Sequence, residues 1–299
     1  MKISEKFKIK KPLVSFEIFP PKIGYPIDTI YDTIDELNCL NPDFMSVTFG
    51  AGGSSKDRTV EISSYIKHKY DLSSIAHITC IDSNKLEVEC IRKSLEKEGI
   101  ENVLALRGDY PEGDRKNAKT RDGFTHASEL IRYFKEKSDF SVGAACYPEK
   151  HPEAEDLEAD LFYLKEKVDA GADFLVTQMF FDNEIFYDFI DKTKTIGIDV
   201  PIIAGIMPIL SKNQIKRIIS LTGNKLPNKF KRLLDRYEDN PEALNEAGLS
   251  YAIGQIIDLL SWGVDGVHIY TMNRPETARS IMKSMEAIRG ALTNENKNL

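Results

Sequence analysis

A chain of 299 residues that is 41% apolar and 29% charged can bury a full core without disulfides or a structural metal. Its net charge of −7 and pI of about 5.4 argue against nucleic acid as a partner. No apolar run reaches the roughly 18 residues of a membrane helix. Cys39, Cys80, Cys90 and Cys146 form no C-x-x-C pair and no metal spacing, which excludes a disulfide scaffold and suits a reducing compartment. The lysine-rich start lacks the apolar stretch of a signal peptide, so the expected location is the cytoplasm. Basic clusters at 8–11 and 225–232 read as solvated helix faces or frayed ends.

In chain order, the first predicted strand is 13–19, and it carries Glu17 among apolar neighbours. A carboxyl desolvated in this way holds a proton more readily and can act as a general acid. The bland alternative is a structural carboxylate paired to an arginine. The second strand, 43–49, ends in Thr48 and Phe49 and runs into Gly50-Ala51-Gly52-Gly53-Ser54, a loop that lets a ligand approach the backbone closely. The third, 74–81, holds His77. The fourth, 102–108, ends in Arg107-Gly108-Asp109, which alone is equally well a loop turn. The fifth, 140–147, ends in Tyr147 and leads to His151. An amphipathic helix follows over 157–170, with Leu157, Leu161, Leu164 and Val168 on one stripe. Strands at 173–180 and 201–207 bring Gln178 and Met207. Two or three helical segments then fill 211–262 before the eighth strand, 266–271, with Tyr270 near its end. His68 and His268 read as incidental surface or core residues.

Eight strand–helix units without a Gly-x-Gly-x-x-Gly fingerprint predict an α/β fold, a (β/α)8 TIM barrel with a helical insertion between strands 7 and 8. The expected organisation is one domain over 1–292 and a frayed polar tail over 293–299. Most of the strands finish with a polar side chain. A buried polar group without a partner costs about 1–3 kcal/mol, so one is a packing accident and seven on one rim look like a site.

Phe16-Glu17-Ile18-Phe19-Pro20-Pro21, Val47-Thr48-Phe49-Gly50-Ala51-Gly52-Gly53-Ser54, Leu106-Arg107-Gly108-Asp109 and Tyr147-Pro148-Glu149-Lys150-His151-Pro152-Glu153-Ala154 occur in this order. They continue through Thr177-Gln178-Met179-Phe180-Phe181-Asp182, Gly205-Ile206-Met207-Pro208 and Tyr270-Thr271-Met272-Asn273-Arg274. The ordered set resembles the signature blocks of the methylenetetrahydrofolate reductase family. The resemblance implies bound FAD, NADH or NADPH as co-substrate, and reduction of 5,10-methylenetetrahydrofolate in a ping-pong cycle. By position, Glu17 resembles the family's general acid and Asp109 its aspartate between flavin and pterin. Gln178, Gln214, Tyr270 and Arg274 match folate contacts, with Asp109 among them. Thr48, Phe49, Ala51, His77, Arg107, Gly108, Asp109, Ala127, Tyr147, His151, Asp160 and Lys167 match FAD contacts. No metal is implied, and a homo-oligomer is expected by resemblance alone.

The chain departs from the pattern at His126, where an aromatic is expected, and at Tyr163 and Glu166, which replace Asn and Arg of bacterial relatives. An acidic Glu166 does not hold a phosphate. Ile218 stands where some relatives place an aromatic over the nicotinamide. The sequence stops where eukaryotic relatives continue into a regulatory domain, so inhibition by S-adenosylmethionine through that domain is not expected. Another FAD-dependent barrel of the proline dehydrogenase kind gives no reason for Glu17, Asp109 and Gln178 in this order. A flavin-free lyase calls for a Schiff-base lysine or metal cluster at strand ends, and a non-catalytic redox-complex subunit calls for an eroded rim.

Overall fold

Strands that are buried on both faces read as continuous apolar runs, and that is how this chain builds its sheet. The computed structural model describes residues 1–21, 24–49, 55–81, 83–109 and 122–295, the side chains of 55–57 and 293–295 excepted. The strands are β1 (Leu13–Ile18), β2 (Phe44–Val47), β3 (Ser73–Thr79), β4 (Asn102–Leu106), β5 (Ser141–Cys146), β6 (Phe174–Thr177), β7 (Ile202–Ile206) and β8 (Gly266–Ile269). Each is parallel to the next, and β8 returns to β1 with Leu13 opposite Gly266, closing a (β/α)8 barrel. All eight predicted strands are present. The predictions overshoot at the carboxyl ends by one to three residues, because the chain leaves the ladder there and turns outward.

The outer ring is α2 (Asp28–Asn38), α3 (Ser55–Tyr70), α4 (Lys85–Lys97), α5 (Ala127–Lys137), α6 (Leu157–Asp169), α7 (Asn183–Thr195), α10 (Pro241–Trp262) and α11 (Pro275–Ser284). A preceding helix, α1 (Ile3–Ile9), and a final one, α12 (Glu286–Glu295), complete it. The predicted insertion is α8 (Lys212–Thr222) and α9 (Asn228–Tyr237), after which α10 takes the ring position between α7 and α11. Gly248 lets α10 press against the β7–α8 loop, since a Cβ there would fall 1.7 Å from the Ile209 carbonyl oxygen. Among the described residues no helix is long and apolar enough to cross a membrane.

Three apolar clusters result. The largest lies between barrel and helices, and a second fills the lower barrel, where Ile3 and Phe7 of α1 pack with Phe44, Leu104 and Phe174. A third, around Phe181, Met207, Ile215, Ile218 and Phe230, joins the insertion to the ends of β6 and β7. The basic segment expected to be solvated, 8–11, is partly engaged at the barrel's lower end, where Lys10 and Lys11 reach carboxylates. Asp43, Asp173 and Asp265 each precede a strand and accept the backbone N–H of a neighbouring strand, from Val14, Val142 and Ile202 at 2.7, 2.7 and 2.9 Å. Each also meets a lysine: Lys10 at 2.8 Å, Lys135 at 2.9 Å and Lys11 at 2.6 Å. The amino ends of the strands are thus closed by apolar packing and by satisfied polar groups.

Candidate active site

Alternation along a strand sends Ser15 and Glu17 of β1 to one face, and His268 of β8 and Ser46 of β2 meet them inside the barrel. Ser15 Oγ lies 2.7 Å from His268 Nδ1, and Ser46 Oγ lies 3.1 Å from His268 Nε2. A hydroxyl can donate or accept, so either neutral tautomer of His268 is satisfied. Above this layer Glu17 is 7% exposed, and its Oε2 stands 3.8 Å from Nε2 of both His77 and His268. His77 Nε2 is buried without a hydrogen-bond partner, and burial lowers the imidazole pKa to about 4, leaving the ring neutral at pH 7. The exit of β1 is gripped from the β8–α11 loop. Thr271 Oγ1 donates to the Glu17 carbonyl at 3.0 Å, and the Asn273 amide accepts from Phe19 N at 2.9 Å and donates to Phe19 O at 2.7 Å. Met272 and Asn273 adopt left-handed backbone at φ 53° and 56° to make that grip.

A cleft of about 1240 Å³ opens above Glu17 at the carboxyl ends of the strands. One half is walled by β3–β5, the start of α5 and about two turns of α6. There Lys167 is drawn inward, with Nζ donating to the Ala145 carbonyl at 2.9 Å, and burial lowers its pKa despite the opposing field of Asp160. Asp160 Oδ2 accepts the His151 backbone N–H at 2.9 Å. His151 Nδ1 accepts from Glu153 N at 3.1 Å, which puts the proton of the neutral ring on Nε2. Burial, with the nearby Arg107 charge, lowers the His151 pKa. Its ring meets Tyr147 edge-on at 4.7 Å, and burial raises the Tyr147 pKa to about 12. Arg107 pairs with Glu153 at 2.5 Å. Gly108 turns the chain at φ 85°, where a Cβ would crowd Thr79 at 3.0 Å. Helix α5 begins at Ala127 without a side-chain cap and presents its positive end to the cleft, an arrangement suited to an anion.

The other half is walled by β6–β8 and α8. Gln178 lines it, with Oε1 accepting from Met179 N at 2.9 Å. Tyr270 donates its hydroxyl to the Thr177 carbonyl at 2.8 Å, and burial holds its pKa well above 10. Gln214 braces its own loop, accepting from Leu210 N at 2.8 Å and donating to the Pro208 carbonyl at 3.0 Å. Asp109 and Arg274 are exposed on the rim.

The cleft wall therefore gathers Glu17, His77, Arg107, Gly108, Asp109, Ala127, Tyr147, His151, Asp160, Lys167, Gln178, Gln214, Tyr270 and Arg274. Thr48 and Phe49 continue β2 but are not in that wall, and Ala51 lies outside the described residues. His126, Tyr163, Glu166 and Ile218 all line the cleft. His68 is a surface residue 3.4 Å from Glu98, as read. His268 is a core residue, as read, held between Ser15 and Ser46 inside the barrel. It sits two residues before Tyr270 on the same strand face, a spacing that could have revealed its inward aim.

Residues 2–286 match the family model of methylenetetrahydrofolate reductase. The chain is 39% identical to the 5,10-methylenetetrahydrofolate reductase of Escherichia coli (strain K12) over 272 residues, covering 91% of this chain and 90% of that one. It is 35% identical to methylenetetrahydrofolate reductase (NADH) 1 of Arabidopsis thaliana over 285 residues, covering 92% of this chain and 48% of that one. Among solved structures, an uncharacterized protein from Clostridium thermocellum described as binding two copies of 5-methyl-5,6,7,8-tetrahydrofolic acid superposes with a TM-score of 0.70 at 14% identity, covering 96% and 99% of the two chains. At that identity the likeness shows the barrel fold. Barrel and sequence agree, and this chain belongs to the methylenetetrahydrofolate reductase family.

Proposed function

We propose that this protein reduces 5,10-methylenetetrahydrofolate to 5-methyltetrahydrofolate, using electrons that a bound FAD takes from NADH or NADPH in a ping-pong cycle. The observation that carries the reading is Glu17, a buried carboxyl at the floor of an open cleft. The cleft suits FAD on its own terms. Its volume exceeds that of most small-ligand pockets, and the orphaned His77 Nε2 is a polar atom that a heterocycle would satisfy. Lys167, Arg107 and the uncapped start of α5 would hold the diphosphate, with Asp160 and His151 beside a sugar or ribityl chain. Bound there, the flavin supplies hydride transfer.

The chain's own residues do the rest. Glu17 gives a proton to the ring nitrogen that leaves as the five-membered ring opens to an iminium ion, the form that accepts hydride at the one-carbon unit. Asp109 stabilises that cation and hydrogen-bonds the pterin. Gln178 can donate and accept along the pterin edge, and Arg274 on the rim suits a substrate carboxylate. One shared, open cleft suits two substrates that take turns. NADH is the donor favoured by the name of the Arabidopsis relative.

The test is the visible spectrum of the purified protein under anaerobic addition of NADH, then methylenetetrahydrofolate. A flavin band bleached by NADH and restored by the folate is expected. Bleaching by NADPH alone reassigns the donor, and a colourless protein that takes up no FAD overturns the reading.

A further inference from the structure

Helix α8 contributes Gln214, Arg217, Ile218 and Leu221 to one wall of the cleft, and its buried Ile215 and Ile218 pack with Phe181, Met207 and Ile209 at the ends of β6 and β7 and not with the main barrel core. Its position over the cleft therefore depends on what ties the insertion to the rim. Lys212 pairs with Glu238 at 2.9 Å, but that joins α8 to the residue following α9. The α8–α9 loop reaches the barrel through two hydrogen bonds. Asn224, only 9% exposed, donates Nδ2 to the Met179 carbonyl beyond β6 at 2.5 Å. The backbone N–H of Lys225 donates to Glu149 Oε2 beyond β5 at 2.8 Å. Glu149 is held in an unusual setting, since its Oε1 is buried without a partner and burial raises its pKa against the pull of Lys225. Neither Glu149 nor Asn224 is in the cleft wall.

We infer that Glu149 and Asn224 are positioning residues that latch α8 to the β5 and β6 rims and so set how tightly the α8 half of the cleft holds its substrates. The inference takes the identity of those substrates from the reductase reading above, while the latch itself stands on the two hydrogen bonds. A helix held in the binding-competent position for only a fraction of the time weakens apparent affinity by that fraction. The flavin half is walled by β3–β5, α5 and α6; Glu149 lies in the β5–α6 loop that also carries Tyr147 and His151, so Asn224→Ala is the variant that leaves that half untouched.

The experiment compares Glu149→Ala, Asn224→Ala and Glu149→Gln with the wild-type holoenzyme, by hydrogen exchange over 212–226 and by steady-state kinetics. In the two alanine variants, exchange in α8 accelerates about five- to tenfold, the factor a net hydrogen bond confers. The KM values for folate and nicotinamide rise together, by up to that factor, while kcat stays within about twofold, and in Asn224→Ala flavin content is unchanged. Glu149→Gln, whose amide oxygen still accepts from Lys225, stays near wild type in both readouts. Unchanged KM values in both alanine variants, or an effect confined to kcat, would overturn the proposal. So would Glu149→Gln failing as badly as Glu149→Ala. A wild-type protein with no folate turnover removes the reductase reading instead, and α8 exchange still decides the latch.

Discussion

The two ends of the barrel treat polar groups in opposite ways. At the amino ends of the strands, Asp43, Asp173 and Asp265 each hold a backbone N–H and a lysine, and α1 covers the apolar floor. At the carboxyl ends, His77 keeps an orphaned nitrogen and the cleft stays open. Lys167 is desolvated there against the Ala145 carbonyl. One end closes its hydrogen-bonding capacity and contributes stability; the other leaves capacity open, which costs stability and is available to a ligand.

That contrast can be broken from either end. The largest effect is expected at the top. Glu17→Gln lowers folate reduction by at least about 100-fold, the scale of general acid catalysis, while flavin content and nicotinamide oxidation with an artificial acceptor persist. Undiminished folate turnover in that variant removes Glu17 from its role. Next is acid sensitivity. His77 titrates near 6.5 unfolded and at about 4 folded, so below pH 6.5 the unfolded chain takes up the proton first. Its share of stability is present above 6.5 and is lost as pH falls toward 4, up to about 3 kcal/mol. Denaturant unfolding at several pH values reads this as a slope that His77→Gln flattens; an equal slope in the variant rejects the assignment.

At the bottom the sign reverses. Asp265→Ala strands the Ile202 N–H and releases Lys11, costing about 2 kcal/mol in unfolding free energy, with kcat/KM within about twofold of wild type. A loss of turnover without a loss of stability would contradict the division between the two ends. The smallest change is Lys11→Met, which keeps the bond from Ile202 to Asp265 and removes a half-exposed ion pair; calorimetry is expected to find less than about 1 kcal/mol.

How legible each end is follows from the range of the interactions. The eight strands were readable because parallel barrel strands are apolar runs set off by turns, and the helices of 211–262 were readable by length. The carboxyl ends were overrun, as with Gln178, read into a strand that stops at Thr177, because polar rim residues follow apolar runs without a break. Helix α1 leaves little trace in the sequence, since of its three apolar residues only Ile3 and Phe7 share a face, too few for a periodicity. His268 reads as a core histidine and is one, but its serine partners on β1 and β2 lie more than 200 residues away and leave no local sign. The latch between Glu149 and Lys225 joins loops 76 residues apart, and nothing local in either announces the other.

Barrel closure also has a consequence for how the protein is made. Leu13 finds its partner only when Gly266 exists, and Phe7 packs on Phe174. On a ribosome adding roughly 5–20 residues per second, β1 waits for tens of seconds with one edge unpaired. During synthesis the first strand is therefore an adhesive edge, and a slow codon or a starved cell lengthens the interval in which a neighbouring nascent chain can take the place of β8.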